Sequence, residues 1–341
     1  MRLNFIHRKT FYRWKYILFV FIFSACSSRL PGNEYRLTDE CVVVLADVEK
    51  GIELVSVSDD YTDKFGEFDL RSKLLVEPDA ETPSVDDYLN NVASQVREWT
   101  DSEKEKIKAA VEFAASQFKK LSISLTLPDT IYVVKTTGRE EGNAMGYTRS
   151  NYIVLTESGL FTFQQSLISL FNHELFHIIS RSDENLREKI YSLIGFTKCN
   201  NQVLPEDLKN IKISNPDAPY FDYYAELETI DGTKLNGIML MYSERPFDGG
   251  SFFTYTKLGF IAVTGEGMEK AIVQNSGKSV LIPLDQVKNF YDLIGNNTHY
   301  IINPEEIMAE NFNLLLTEKT NLPNPEITDE LLKILQTNKQ K

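Results

Sequence analysis

The chain reads as an α+β fold with a β-rich stretch late in its length. Three observations predict this. Apolar residues recur at helical spacing behind cap signals at Thr100, Thr162 and Asn303. Short β-prone runs, Cys41-Val-Val-Val-Leu45 and Ile131-Tyr-Val-Val-Lys135 among them, stand between turn-rich segments. Residues 216–284 then change character: Tyr, Thr, Val and Gly rise, and Asp231-Gly232 and Asp248-Gly249-Gly250 mark turns. At 341 residues, 42% hydrophobic and 25% charged, the chain can bury a substantial core.

Taken in order, Ser27 to Asn33 is polar, contains Pro-Gly and reads as a tether. Cys41–Leu45 and Ile52–Val57 read as strands, and an acidic, turn-rich stretch runs on to Val85. Thr100-Asp-Ser-Glu103 is a capping box for a helix to Leu121, with Ile107, Val111, Ala114, Phe118 and Leu121 on one face. Ile131–Lys135 reads as a buried strand. Ala144–Thr148 and Tyr152–Leu155 flank an Arg-Ser-Asn turn and suggest a hairpin. Thr162-Phe-Gln-Gln165 can cap a helix that begins around Phe163, and Gly195 is placed to end another over Asp183–Ile194. Helices return at Pro304–Leu315 and Ile327–Gln336, with no internal repeat.

The first 25 residues read as an export signal. Arg2, Arg8, Lys9, Arg13 and Lys15 are followed by apolar Tyr16–Phe23, too short to span a bilayer as a mature helix. Ser24-Ala25-Cys26 resembles the lipobox of bacterial lipoproteins, although Phe23 stands where that box more often has Leu. The resemblance implies that Cys26 becomes the lipidated first residue; ordinary cleavage near Ala25 is the alternative. The expectation is an exported, soluble body lipid-anchored in the bacterial cell envelope, at the outer or the cytoplasmic membrane. Net charge is −13, and the basic signal makes the remainder more acidic still, so nucleic acid is excluded as a partner. Cys41 and Cys199 also remain, and their spacing specifies neither a disulfide nor a cysteine metal site.

The most informative residues are His173-Glu174-Leu175-Phe176-His177, an HExxH within the apolar stretch Ser166–Ile179. On a helix, positions i and i+4 sit one turn apart on one face, so both imidazoles can close on one metal ion. Glu174 projects from the adjoining edge, where a carboxylate can take a proton from a water that the ion polarises. Such a motif points to a zinc hydrolase. Histidine is scarce, four in all with His7 in the signal segment, which makes this pairing more telling.

Zinc in a hydrolase usually has three protein ligands. Asp183, six residues after His177, is one candidate, but Asp183-Glu-Asn185 also looks like a helix cap. The better candidate lies in Asn303-Pro-Glu-Glu-Ile-Met-Ala-Glu310, where Glu306 and Glu310 share a helix face and Glu305 stands in reserve. Glu306 is also placed to complete a capping box with Asn303, and Glu310 to face solvent.

Together these two helices resemble the gluzincins, zinc peptidases with HExxH on one helix and a ligand glutamate on a later one. The resemblance covers the two helices and the strand before them, and the spacing between its halves is unusually long. It implies Zn2+ held by His173, His177 and Glu306, with Glu310 orienting His173 and Glu174 as general base. It implies an electrophilic helper near the metal, for which His299 and Tyr300 are the candidates. It also implies a peptide or protein substrate laid along an edge strand, where Ala144 and Gly146 would let its backbone approach. The chain then divides into signal 1–25, tether and β-prone region 26–85, zincin-like lobe 86–199, β-rich insertion 200–295 and C-terminal helices 296–341. The competing expectation is a non-catalytic, lipid-anchored binding protein with a structural or vestigial metal site.

Overall fold

The computed structural model describes residues 32–338. The export signal and Cys26 therefore lie outside the described residues. No described helix is long and apolar enough to cross a membrane. The fold is α+β, and the described residues belong to one compact unit.

Strands β1 (Glu34–Arg36) and β2 (Val42–Leu45) open the first sheet. Three helices follow: α1 (Val48–Val55), α2 (Glu67–Leu74) and α3 (Val85–Gln95). Here the sequence expectation needs correcting. Ile52–Val57 is not a strand, because Asp47 accepts from Lys50 N and starts a helix that buries Gly51 and Val55. Gly51 sits there because a Cβ would come within 2.8 Å of Val96. The stretch before Val85 holds α2, and Ser84 with Asp87 forms a capping box for α3.

Helix α4 (Asp101–Lys120) carries the expected box between Thr100 and Glu103 and buries Ile107, Val111, Ala114 and Phe118. The sheet is completed by β3 (Thr130–Thr136) and the hairpin β4 (Gly146–Arg149) and β5 (Tyr152–Thr156). Its order is β1-β2-β3-β5-β4, with β2, β3 and β5 parallel and β4 antiparallel at the edge. Both faces are covered. Val134, Tyr147 and Val154 pack with Tyr88 and Val92 of α3, while Val133, Ile153 and Leu155 pack into the main core.

After the short α5 (Glu157–Leu160) comes α6 (Gln164–Ser182), which carries HExxH. Thr162 does not cap it: its hydroxyl donates to Gly159 O at 2.7 Å, and Phe163 takes the cap position without a side-chain bond. The helix is held by burial instead, with Leu167 and then Phe171–Ser180 out of solvent. Asp183 caps α7 (Glu184–Ser192) by accepting from Leu186 N, and Gly195 supplies the left-handed residue beyond it (φ +77°).

The second sheet is built from β6 (Phe196–Lys198), then, after α8 (Glu206–Lys209), from β7 (Tyr223–Glu228), β8 (Lys234–Tyr242), β9 (Lys257–Thr264) and β10 (Ala271–Ile272). A separate small pair, β11 (Gln274–Asn275) and β12 (Lys278–Ser279), precedes β13 (Leu281–Pro283), which pairs with β9. Phe196, Ala225, Leu227, Met239 and Phe260 belong to the same core as α6. Helices α9 (Phe290–Ile294), α10 (Pro304–Leu316) and α11 (Pro325–Thr337) close the chain. Helix α10 packs along α6, as α4 does, and Phe312 stacks against Phe176 and Phe118. Cys41 and Cys199 are buried free thiols.

Candidate metal centre

Helical periodicity fixes what α6 can present. His173 and His177 lie one turn apart with ring centroids separated by 4.9 Å, and both face α10. Pro304 and the Asn303 cap begin α10 so that its first turns meet those rings. Asn303 accepts from Glu305 N, and the Glu306 carboxylate faces the imidazoles.

The outer nitrogen of each ring is engaged by a carboxylate. His173 Nδ1 lies 2.8 Å from Glu310 Oε1, and His177 Nδ1 lies 2.8 Å from Glu305 Oε1. Glu305 is held in turn by the Ser180 and Tyr191 hydroxyls. The inner nitrogens converge on Glu306 Oε2, at 2.9 Å from His173 Nε2 and 3.7 Å from His177 Nε2. His177 Nε2 is buried with no hydrogen-bond partner. An unpartnered nitrogen at this depth is costly unless something else accepts its lone pair. One donor atom from each of His173, His177 and Glu306 lies within 4.8 Å of the other two. The donor set of two imidazoles and a carboxylate, with both rings fixed from behind, suits a divalent ion such as zinc.

Glu174 lies beside this group on the β4 side. Its Oε2 accepts from the Thr148 hydroxyl at 2.9 Å. Gly146, two residues earlier on the same strand face, is bare for a specific reason: a Cβ there would meet Glu174 Oε1 at 2.9 Å and Val154 O at 3.1 Å. The small residue at 146 thus makes room for the Glu174 carboxylate. This differs from the sequence reading, in which Gly146 makes room for a substrate backbone. Ala144 is half-buried on the adjoining cavity, and its carbonyl accepts from Thr156 Oγ1.

Electrostatics follow the burial. Burial raises the Glu174 pKa, and the two imidazoles only partly offset it. Burial would likewise raise Glu306, but His177 and His173 overcome it and hold that carboxyl down to about 2. For His177, burial acts to lower the pKa, but Asp217, Glu306 and Glu305 outweigh it and push the ring up to about 9.

The two candidate helpers separate. Tyr300, although 45% exposed as a residue, places its ring 5.9 Å from that of His173, and desolvation of its hydroxyl with the carboxylates of Glu306, Asp217, Glu174 and Glu310 raises the phenol's pKa well above its ordinary value. His299 is likewise exposed, but it hydrogen-bonds to no side chain of the site, and it is Tyr300 whose ring lies against His173. Asp183 is taken up as the α7 cap, as noted above.

Three participants were missed from sequence. Thr148 was readable, since residues 146 and 148 of a strand share a face. Asn215, which donates to Glu306 Oε1, and Asp217, whose Oδ1 lies 3.9 Å from His177 Nε2, sit in an aperiodic Pro-containing segment that reads as a turn. Asp217 also forms a second group with Glu174 and His177, again with donor atoms within 4.8 Å of one another. No known family profile, curated protein or solved structure matches the chain.

Proposed function

We propose that this protein is a zinc-dependent metallohydrolase, a peptidase of the gluzincin kind, exported and lipid-anchored through Cys26 in a bacterial cell envelope. The observation that carries the reading is the convergence of three buried donors, His173, His177 and Glu306, beside a buried free carboxylate, Glu174. A structural metal site has no use for that fourth group. The frame around it also suits a zincin-like core: a motif helix under a sheet whose edge strand β4 is antiparallel, and a later helix that supplies the glutamate.

Zinc, when bound, would acidify a water and polarise the attacked carbonyl. The remaining work falls to the chain. His173 and His177 are kept in the tautomer that points Nε2 inward by Glu310 and Glu305. Glu174, steadied by Thr148, accepts the attacking water's proton and delivers it to the departing nitrogen. The Tyr300 phenol donates toward the oxyanion. An extended peptide is oriented along β4, with side chains toward the apolar cavity bordered by Tyr147, Met241, Phe252 and Phe253.

The deciding experiment is elemental analysis of the signal-free protein, from Ser27 onward, against Glu306→Ala. About one zinc per chain in the wild type and a large loss in the variant are expected. Full retention without Glu306 would move the third ligand to Asp217 or Glu305. No zinc after reconstitution would sink the peptidase and leave a binding protein. A second expectation concerns Gly146→Ala. The new methyl displaces the tip of Glu174 and crowds Val154 O at 3.1 Å, so melting temperature should fall slightly while kcat falls by up to about 100-fold.

A further inference from the structure

We propose that Asp217 blocks the water side of the metal centre, against His177 and Glu174, and that the segment it belongs to, Asn215–Pro219, lies in the substrate's track, so that the enzyme rests closed. This rests on the metallohydrolase reading above and adds its regulation. Three independent contacts support it.

The first is at the centre itself. The one inner imidazole nitrogen without a hydrogen-bond partner, His177 Nε2, looks toward Asp217 Oδ1 at 3.9 Å. The carboxylate is nearly out of solvent, with its side chain 10% exposed, and it shares its donor group with Glu174 and His177. That is the side on which a reactive water must sit.

The second contact is at the strand edge. The Thr148 amide donates to Asp217 Oδ1 at 2.5 Å, and the Thr148 carbonyl accepts from Arg181 Nη2 at 3.4 Å. A peptide added to β4 would need these same two backbone groups. The segment has taken the amide through Asp217, and Arg181 of α6, which also holds the segment, has taken the carbonyl.

The third is the way the segment is tied down. Arg181 Nη2 also donates to the carbonyls of Pro216 and Asp217, at 3.1 and 3.0 Å. Asn215 donates to Glu306, and Lys64 donates to Pro219 O at 2.9 Å. Just upstream, Ser214 is fixed to buried Asp69 through both its amide and its hydroxyl. The ties from 215 to 219 are polar; Pro216 is buried, and Asn215, Asp217, Ala218 and Pro219 are half-buried. Lifting them leaves the core intact while Ser214 stays anchored. Beyond the segment lies a cavity of about 130 Å³ that it shares with Gly146, Phe252, Phe253 and Tyr300, where a substrate's apolar side chain would go once the track clears.

The test uses the full mature chain loaded with Co2+, whose visible spectrum reports its ligands, titrated with acetohydroxamate as an external ligand. Wild type should resist the hydroxamate. Asp217→Ala should bind it at least about tenfold more tightly, because a site open only part of the time loses affinity by that fraction. Arg181→Ala, which removes the tie without touching a ligand, should fall between the two and covers the case in which Asp217→Ala fails to fold. Hydrolysis of an unfolded protein substrate should rise in both variants. Equal hydroxamate affinity in wild type and both variants, with cobalt bound, would overturn the resting closure and leave the metallohydrolase standing. Loss of hydrolysis in Asp217→Ala without a change in hydroxamate affinity would make Asp217 a catalytic group and equally overturn it. A wild type that takes up no cobalt would overturn the metal centre and the closure together.

Discussion

Glu174→Gln should keep its full metal content and lose activity by about 10²–10⁴-fold. The amide is nearly isosteric and still offers an oxygen to the Thr148 hydroxyl, so the side chain keeps its place above Gly146. What it loses is the ability to accept a proton, and the stated range is what a positioned general base contributes. The three ligands are untouched, so metal analysis and turnover on the same sample separate binding from chemistry. Unaltered turnover would show that another group moves the proton; a parallel loss of metal would show that Glu174 has a structural part in the centre.

The largest expected effect on stability lies away from the metal. Asp69 is fully buried in α2 and accepts from Lys212 Nζ at 2.5 Å, from the Ser214 amide and hydroxyl, and from Gly66 N. Asp69→Ala leaves an ammonium in the interior without its counter-charge, which costs about 3–5 kcal/mol. Urea denaturation at neutral pH should read that loss. The deficit should narrow as pH rises. Burial already lowers the Lys212 pKa, Asp69 opposes that, and its removal lowers the pKa further. The unfolded chain then binds the proton that the folded chain has shed, so stability climbs with pH toward the ordinary lysine range. A deficit that stays constant or widens with pH would mean that the loss comes from the Ser214 and Gly66 hydrogen bonds and not from the stranded charge. Asp69→Leu combined with Lys212→Met, which removes both charges, should recover much of the stability.

Much of this architecture could be read from local pattern. Helices α4, α6 and α10 announce themselves through apolar spacing, and two of them through caps, because those signals span only a few residues. The same holds for the imidazole pair and for Glu306, since i and i+4 on a helix need no tertiary knowledge. Helix α1 was misread for a related reason. Ile52-Glu-Leu-Val-Ser-Val57 looks β-prone to the eye, and only the Asp47 cap and the crowding of Gly51 by Val96 argue for a helix. Asp217 escaped because its meaning is entirely long-range: its partner Thr148 is 69 residues away, and nothing periodic connects them. His299 stands beside Tyr300 as a helper candidate just upstream of Glu306, but nearness in sequence says nothing about which of two neighbouring loop side chains meets the site.

The placement of Glu305, Glu306 and Glu310 has one more consequence. All three come from the first two turns of α10, and each touches an imidazole of α6. The way these carboxylates meet the imidazoles is therefore set by how two rods lie against each other, and of the long excursion from 183 to 303 it is Tyr191 and the segment 215–217 that reach the centre, while the strands β7, β8 and β9 supply none of its donors. Lengthening or shortening the turns between β7, β8 and β9 should be tolerated by the centre, and evolution could have remodelled that sheet without renegotiating a single ligand. One residue inserted between Glu306 and Glu310 would be another matter. It would swing Glu310 by about 100° around the rod and strand His173 without its support.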